Sequence, residues 1–264
     1  MSAASKKLAQ LIDTLRPYGR LAVSYSGGVD STLLVHAARQ ALGRDNVLAL
    51  TALSRLLPAD EARDADMTAT ALDVNYITCA IDPLSLPAVQ HNTPDRCYHC
   101  KYMILSTLKE LAAARGFSVL CDGSNADDAK ANRPGQRAVA QLLVATPLAL
   151  YSKEEIRQMS RAAGLPTAQK PSAPCLATRF PYHADITTRA LMQVEAAEKE
   201  LIGRGFPVCR VRCHGDLARV EVPLKEVGRL LSHCDLPRVF HLFGFSHVTV
   251  DLEGFRSGCF DKKE

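Results

Sequence analysis

The chain has 264 residues, 47% of them apolar and 23% charged, and a formal net charge of +4. That length buries a full core and, at roughly 100 to 200 residues per domain, suits one large globular domain with a smaller one beside it. No stretch approaches the roughly 20 apolar residues of a membrane span, and no Lys/Arg run accompanies the small charge, so neither a membrane nor a nucleic acid is expected as partner.

The N-terminal MSAASKKLAQ lacks the apolar region of a signal peptide, and a cytoplasmic location is expected. Nine cysteines, an odd number, without an export signal argue against a disulfide framework and for thiols kept reduced for chemistry or metal. Cys79 and Cys121 lie in apolar strand-like runs, where a buried structural thiol is the default.

Residues 5–17 read as an amphipathic helix. In LAVSYSGGVDS, residues 21–31, an apolar strand-like run stops at Ser26-Gly27-Gly28 and restarts at Val29 as a helix. This is the pattern of a phosphate cradle. Glycines tolerate positive φ and let an oxyanion approach the main chain, and the helix N-terminus adds its dipole. Ser26 and Ser31 supply hydroxyls, and Asp30 is placed to hold Mg²⁺ or to cap the helix. An ordinary strand-to-helix turn is the alternative, which the full string disfavours.

The helix runs to about Leu42 and stops at Gly43. A strand at 47–53, a helix at 58–73 and a strand at 74–81 follow. This alternation of near-continuous apolar strands with helices predicts a Rossmann-like α/β fold, with a parallel sheet covered on both faces and a ligand site at the carboxyl ends of its strands.

HNTPDRCYHCKY, residues 91–102, reads as a polar loop carrying Cys97 and Cys100, with a helix from there to Ala114. A fourth strand at 117–121 opens into DGSNADDAKANRPGQRA, residues 122–138, too rich in Asp, Asn and Gly for core. Asp122, Asp127 and Asp128 could hold Mg²⁺ or orient substrate, or could serve turns and caps. A short strand at 146–150 and a helix at 153–163 complete the first domain.

KPSAPCLATRFPY, residues 170–182, sets prolines around Cys175 and cations at Lys170 and Arg179. Prolines fix an extended loop and adjacent cations favour thiolate, which prepares a cysteine to react or to bind metal. A rigid linker would explain the prolines but not the cysteine. From Thr187 follow a long helix ending near Gly203, a hairpin around His214-Gly215-Asp216, a short helix at 225–232 and a strand at 247–252. The expected division is 1–168, a loop at 169–186, and a smaller α+β domain at 187–264.

The cradle has no GxGxxG and no lysine after its glycines, so it is neither of the two commoner phosphate loops. SGGVDS resembles the PP-loop of the ATP pyrophosphatases, which cleave ATP between the α and β phosphates to adenylate a substrate oxygen. SGGVDS, DRCYHCK, DGSNADDAKANRPGQRA, PSAPCLATRFPY, RVRCHGDLARVEV and VTVDLEGFRSG together resemble the ATP-dependent sulfur transferases that build the nickel-pincer nucleotide cofactor of lactate racemase. The resemblance spans roughly residues 5–260.

The resemblance implies that ATP and Mg²⁺ bind at Ser24, Ser26, Gly27, Gly28, Asp30, Ser31 and Asp127. It implies adenylation of a carboxylate of a pyridinium-3,5-biscarboxylic acid mononucleotide, then displacement of AMP by sulfur, with Cys175, Asp30 and Arg179 as catalytic residues. Arg210 and Arg212, alternate on one strand face, suit a phosphate clamp, and Glu198 and Glu221 match positions near metal or substrate. In the sacrificial form of this chemistry Cys175 gives up its own sulfur and becomes dehydroalanine, with Lys170 or a neighbour as base.

Cys97 and Cys100 are idle in that scheme. With Cys175 they make a three-thiolate set for a 4Fe-4S cluster with one open iron, as in related PP-loop tRNA thiolases; half a zinc site, or two thiols at a helix start, is the alternative. A homo-oligomer and a separate sulfur-donor protein are expected partners. An amidating PP-loop ligase would leave the cysteines unexplained, a tRNA thiolase would need a basic face that +4 does not promise, and a nucleotide-binding regulatory protein would not release pyrophosphate.

Overall fold

The computed structural model describes residues 2–130, 134–256 and 258–260. Parts of two motifs, residues 131–133 and 257, lie outside the described residues. The chain divides into two units: one comprises the chain up to Pro83 with Asp95–Ala173, the other Leu84–Pro94 with the chain from Pro174 on. The expected loop at 169–186 is thus parted at 173/174, and a short earlier segment joins the second unit.

In chain order the first unit holds α1 (Ala3–Leu15), β1 (Leu21–Ser24), α2 (Val29–Leu42), β2 (Val47–Leu53), α3 (Ala59–Ala71) and β3 (Asn75–Ala80). After α4 (Pro87–Gln90), which belongs to the second unit, come α5 (Arg96–Ala113), β4 (Leu120–Asp122), α6 (Ala126–Lys130), α7 (Pro134–Gln141) and α8 (Lys153–Ala162). The strands form a parallel sheet in the order β3-β2-β1-β4. Alternate residues enter different cores, which is why the runs are apolar throughout. Leu21, Val23, Val47 and Ala49 join Leu11, Leu33 and Ile156 on one face, while Ala22, Leu48, Leu50 and Leu120 join Leu105, Leu108 and Val139 on the other.

From β1 the chain winds outward through β2 and β3, then returns to place β4 on the other side of β1. That reversal leaves a crevice beyond the carboxyl ends of β1 and β4, where ligands bind in open α/β sheets.

Three local expectations change. The CxxC lies on the first turns of α5 rather than in a loop. The expected strand at 146–150 reduces to a bridge between Cys121 and Ala145, because Pro147 has no N–H with which to continue a ladder. Within 122–138, α7 begins at Pro134, a residue suited to a first helical turn, and buries Ala138 and Val139.

The second unit contains α9 (Thr188–Gly203), β5 (Arg210–His214), β6 (Leu217–Glu221), α10 (Val227–Leu231), α11 (Leu236–Leu242) and β7 (His247–Val250). The Thr187 hydroxyl accepts from the Ala190 N–H and fixes the start of α9. The sheet order is β5-β6-β7, with the β5–β6 hairpin antiparallel and β7 parallel to β6. Alternation buries Val211, Cys213, Ala218 and Val220 and sends Arg210, Arg212, His214, Arg219 and Glu221 to the other face.

Candidate functional site

The loop after β1 has the shape expected of an oxyanion cradle, with one revision. Gly27 sits at φ +70°, and a Cβ there would lie 2.8 Å from the Ala65 Cβ and 2.9 Å from its Cα. Only glycine fits. Gly28, at φ −80°, is the N-cap of α2 in ordinary extended backbone, and its N–H faces Ser26 Oγ at 3.4 Å. The loop is also tied internally, since Ser31 Oγ accepts from the Ser26 N–H at 3.2 Å and donates to the Gly28 carbonyl at 3.3 Å. Ser24 ends β1, beside Asp122 in register.

Asp30 does not cap its helix. Its carboxylate accepts from Asn125 Nδ2 at 3.2 Å and forms an ion pair with Lys153. The lysine missing after the glycines is therefore delivered from the first turn of α8. The β4 loop closes on the same point, because a Cβ on Gly123 would meet the Ser31 N at 3.2 Å and the Asp30 Cβ at 3.3 Å. Asp127 and Asp128 do turn and cap work here: the Asp127 carboxylate accepts from the Lys153 N–H at 2.8 Å, and Asp128 accepts from the Asn125 N–H at 3.1 Å.

Asp122, buried at the end of β4, takes Lys101 Nζ at 3.1 Å and the Ser124 N–H at 3.0 Å, and Ser124 Oγ accepts from Gln136. Lys101 follows directly on Cys100, so one helix carries both the CxxC and a cation fixed at the β1/β4 crevice. Gly135 keeps α7 close to that turn, its missing Cβ leaving 3.1 Å to Lys101 Cδ. Lys170, considered from sequence as a base, is instead engaged by Glu61 at 2.8 Å and Asp64 at 3.3 Å, both on α3.

The nine thiols separate by environment. Burial pushes Cys121 and Cys209 up to about 12 and Cys213 up to about 11, which keeps them protonated and inert. Cys97 is exposed and Cys100 and Cys175 are half-buried, none of the three in a disulfide. Their donor chemistry suits thiolate ligation. Cys97 and Cys100 belong to the first unit and Cys175 to the second, and among the described residues no three His, Cys, Asp or Glu side chains are grouped to hold a metal ion.

In the second unit Arg179 is only 3% exposed and organises the cysteine loop. It donates from Nε and Nη2 to both oxygens of Glu198, at 2.9 and 2.8 Å, and from Nη1 to the carbonyls of Pro174 at 2.9 Å and Cys175 at 3.2 Å. Glu198 also accepts from the Val211 N–H at 3.0 Å. These two predicted site residues thus hold each other, and with them the backbone at Cys175.

Arg212 pairs with the fully buried Glu221 at 2.8 Å and donates to the Thr178 carbonyl at 2.8 Å. Arg210 donates to the Cys209 carbonyl at 2.6 Å and stands over the Phe255 ring. Burial, then the nearby Arg179 charge, lowers its pKa, and the Glu198 carboxylate opposes the shift.

A family model for NAD synthase matches residues 5–104, the stretch that contains the cradle and the CxxC. Over 261 residues, 98% of this chain and 95% of the relative, the chain is 38% identical to the pyridinium-3,5-bisthiocarboxylic acid mononucleotide synthase of Lactiplantibacillus plantarum. The chain belongs to this family of PP-loop enzymes. An uncharacterized protein of Synechocystis sp. is 38% identical over 257 residues, 96% of each chain, and one of Methanocaldococcus jannaschii is 26% identical over 258 residues, 96% of this chain and 98% of its own. The PP-loop assignment accounts for the α/β sheet and the glycine cradle at its switch point. No helix among the described residues is long and apolar enough to cross a membrane.

Proposed function

We propose that the chain is an ATP-dependent sulfur transferase acting on pyridinium-3,5-biscarboxylic acid mononucleotide. The observation that carries this reading is the cradle: a left-handed Gly27 and the α2 N-terminus, with Asp30 and Lys153 at the switch point. A substrate carboxylate oxygen attacks the α-phosphorus of ATP, the α–β anhydride bond breaks, and pyrophosphate leaves. The loop amides and Lys153 suit the charge on that leaving group, and Asp30, once released by Lys153, suits its Mg²⁺. Sulfur then attacks the acyl carbon, and AMP departs with the carboxylate oxygen.

Cys97, Cys100 and Cys175 would hold a 4Fe-4S cluster, which supplies an iron without a protein ligand where an added sulfide can be kept for transfer. Arg210 and Arg212 take the substrate phosphate, with Glu221 ordering Arg212 and Glu198 holding Arg179 against the Cys175 loop. A second reading, sulfur given by Cys175 itself, is favoured by one contact: the Arg179 guanidinium on the Cys175 carbonyl stabilises charge arising there as the Cα proton leaves. Pyrophosphate release tests the proposal. It should require the mononucleotide and persist without tRNA or ammonia; release driven by ammonia alone would replace this reading with an amidating ligase.

A further inference from the structure

The polar face of the β5-β6-β7 sheet carries more cationic capacity than its carboxylates use. Arg212 and Arg219 stand directly opposite each other in register, an arrangement of like charges that destabilises a strand pair unless something bridges it. Glu221 is that bridge, fully buried, with Oε2 at 2.8 Å from Arg212 Nη2 and Oε1 at 3.2 Å from Arg219 Nη2. One carboxylate does not satisfy both forks. Among the described residues, Arg212 Nε, Arg219 Nε and His214 Nε2 are buried without a hydrogen-bond partner, although Arg219 Nε lies 3.4 Å from Asp251 Oδ2 as an ion pair. Arg212 itself is only 4% exposed. A buried nitrogen without a hydrogen bond is costly, most of all on a guanidinium, so two arginine nitrogens and one imidazole nitrogen on one patch call for a ligand.

What lies over them is the end of the described chain. Gly254, at φ +70°, makes a turn against the Val222 carbonyl and the Leu224 N that no other residue could make without displacing backbone. Arg256, Cys259 and Phe260 then lie against the arginine face. The Arg256 carbonyl accepts from Arg212 Nη2 at 3.3 Å, and Cys259 Sγ lies 3.5 Å from Glu221 Oε1. The Phe260 ring sits 5.5 Å from each of the Arg212 and Arg219 guanidinium carbons and edge-on to His214 at 5.6 Å. A ring covers cations well enough to keep them folded, but it accepts no hydrogen bonds.

We propose that Arg212, His214 and Arg219 form a second anion-binding site, for a carboxylate of the substrate, and that Phe260 covers it until that group enters. The site is distinct from the Arg210 side of the clamp and uses the edge of Arg212 that Glu221 leaves unpaired. An anion arriving there meets the Arg212 and Arg219 Nε–H groups and, in its Nε2–H tautomer, His214, and the Phe260 ring moves aside.

The inference rests on the chain acting on an anionic mononucleotide, but its test needs no ATP and no turnover. Full-length wild type, Phe260→Ala, Phe260→Ala/Arg219→Gln and Phe260→Ala/His214→Gln are titrated calorimetrically with inorganic phosphate and, separately, with pyridine-3,5-dicarboxylate. Phe260→Ala should tighten the dicarboxylate by about tenfold, the worth of one charge-assisted hydrogen bond, and either second substitution should reverse the gain. Tightening of phosphate in place of the dicarboxylate makes the patch part of the Arg210 and Arg212 phosphate clamp and overturns the second site. No gain for either anion, or a gain that survives both Arg219→Gln and His214→Gln, overturns the proposal. His214 is half-buried on the hairpin and its variant should fold even if the Arg219 variant does not. Failure of the sulfur-transferase reading would appear separately, as absent pyrophosphate release.

Discussion

Gly27 and Gly28 are neighbours with the same side chain, and the structure predicts opposite consequences for changing them. Alanine at Gly27 must take φ +70°, which costs a non-glycine residue about 1–3 kcal/mol. Its Cβ also falls 2.8 and 2.9 Å from the Cβ and Cα of Ala65 on α3, where the neighbour is helix backbone and cannot swing away. Overpacking of that kind adds about 1–3 kcal/mol, for a total of about 2–6 kcal/mol. At Gly28 the φ is −80° and the new Cβ meets only Ser26 Oγ at 3.4 Å, an ordinary contact. A slightly worse N-cap and a stiffer unfolded chain nearly cancel there, within about 1 kcal/mol of zero. Urea unfolding of both variants, followed by fluorescence and circular dichroism, measures the contrast. Equal losses for Gly27→Ala and Gly28→Ala would refute the argument from backbone conformation.

Arg179→Met leaves Glu198 buried without its cation, and unfolding free energy should fall by about 3–5 kcal/mol, with part of it recovered by adding Glu198→Gln. Lys153→Met should lower pyrophosphate release by about tenfold or more while Lys153→Arg retains part of it, checked by a coupled phosphate assay; equal loss in both variants would mean the Asp30 pair matters only for folding. Glu155 is held down to about 2 by Lys7 and by the Ser152 N-cap of α8. A carboxyl depressed in the folded state stabilises fully above its unfolded value near 4.3, and the contribution is lost as pH falls toward about 2. Glu155→Gln should therefore flatten the acid limb of a stability-versus-pH curve between those values and leave the neutral region parallel.

What the sequence revealed and what it concealed follow from distance along the chain. The strand-to-helix turn at SGGVDS and the β5–β6 hairpin are short strings whose structure is local, and each was readable as it stands. The strand at 47–53 was placed to the residue because six apolar residues and Thr51 sit between a Gly-containing turn and a polar one. Lys153 reaches Asp30 across 123 positions, and nothing near either residue announces the other. Lys101 at Asp122 and Gly123 at Ser31 were hidden for the same reason: the parallel sheet, rather than any motif, brings them together.

Glu198 and Glu221 were noticed as carboxylates near the site, but their pairing with Arg179 and Arg212 depends on which strand face each occupies and on the burial that excludes water. The helix α7 was missed because its Pro-Gly start looks like a loop by composition, although proline is at home in a first turn. Residues 146–150 were apolar enough for a strand, and a single missing N–H at Pro147 undid it.

The central claim is that adenylation prepares a carboxylate for sulfur, and one anaerobic mass measurement after turnover with ATP, Mg²⁺, sulfide and the biscarboxylic acid mononucleotide tests it on both product and protein. The account predicts AMP, pyrophosphate and a mononucleotide in which one oxygen has become sulfur, with protein mass unchanged and iron present in wild type but lost when Cys97, Cys100 or Cys175 becomes Ala. A protein lighter by the mass of hydrogen sulfide at Cys175 would keep the reaction and change the sulfur source. A mononucleotide that gains no sulfur while ATP is cleaved to AMP would contradict the account.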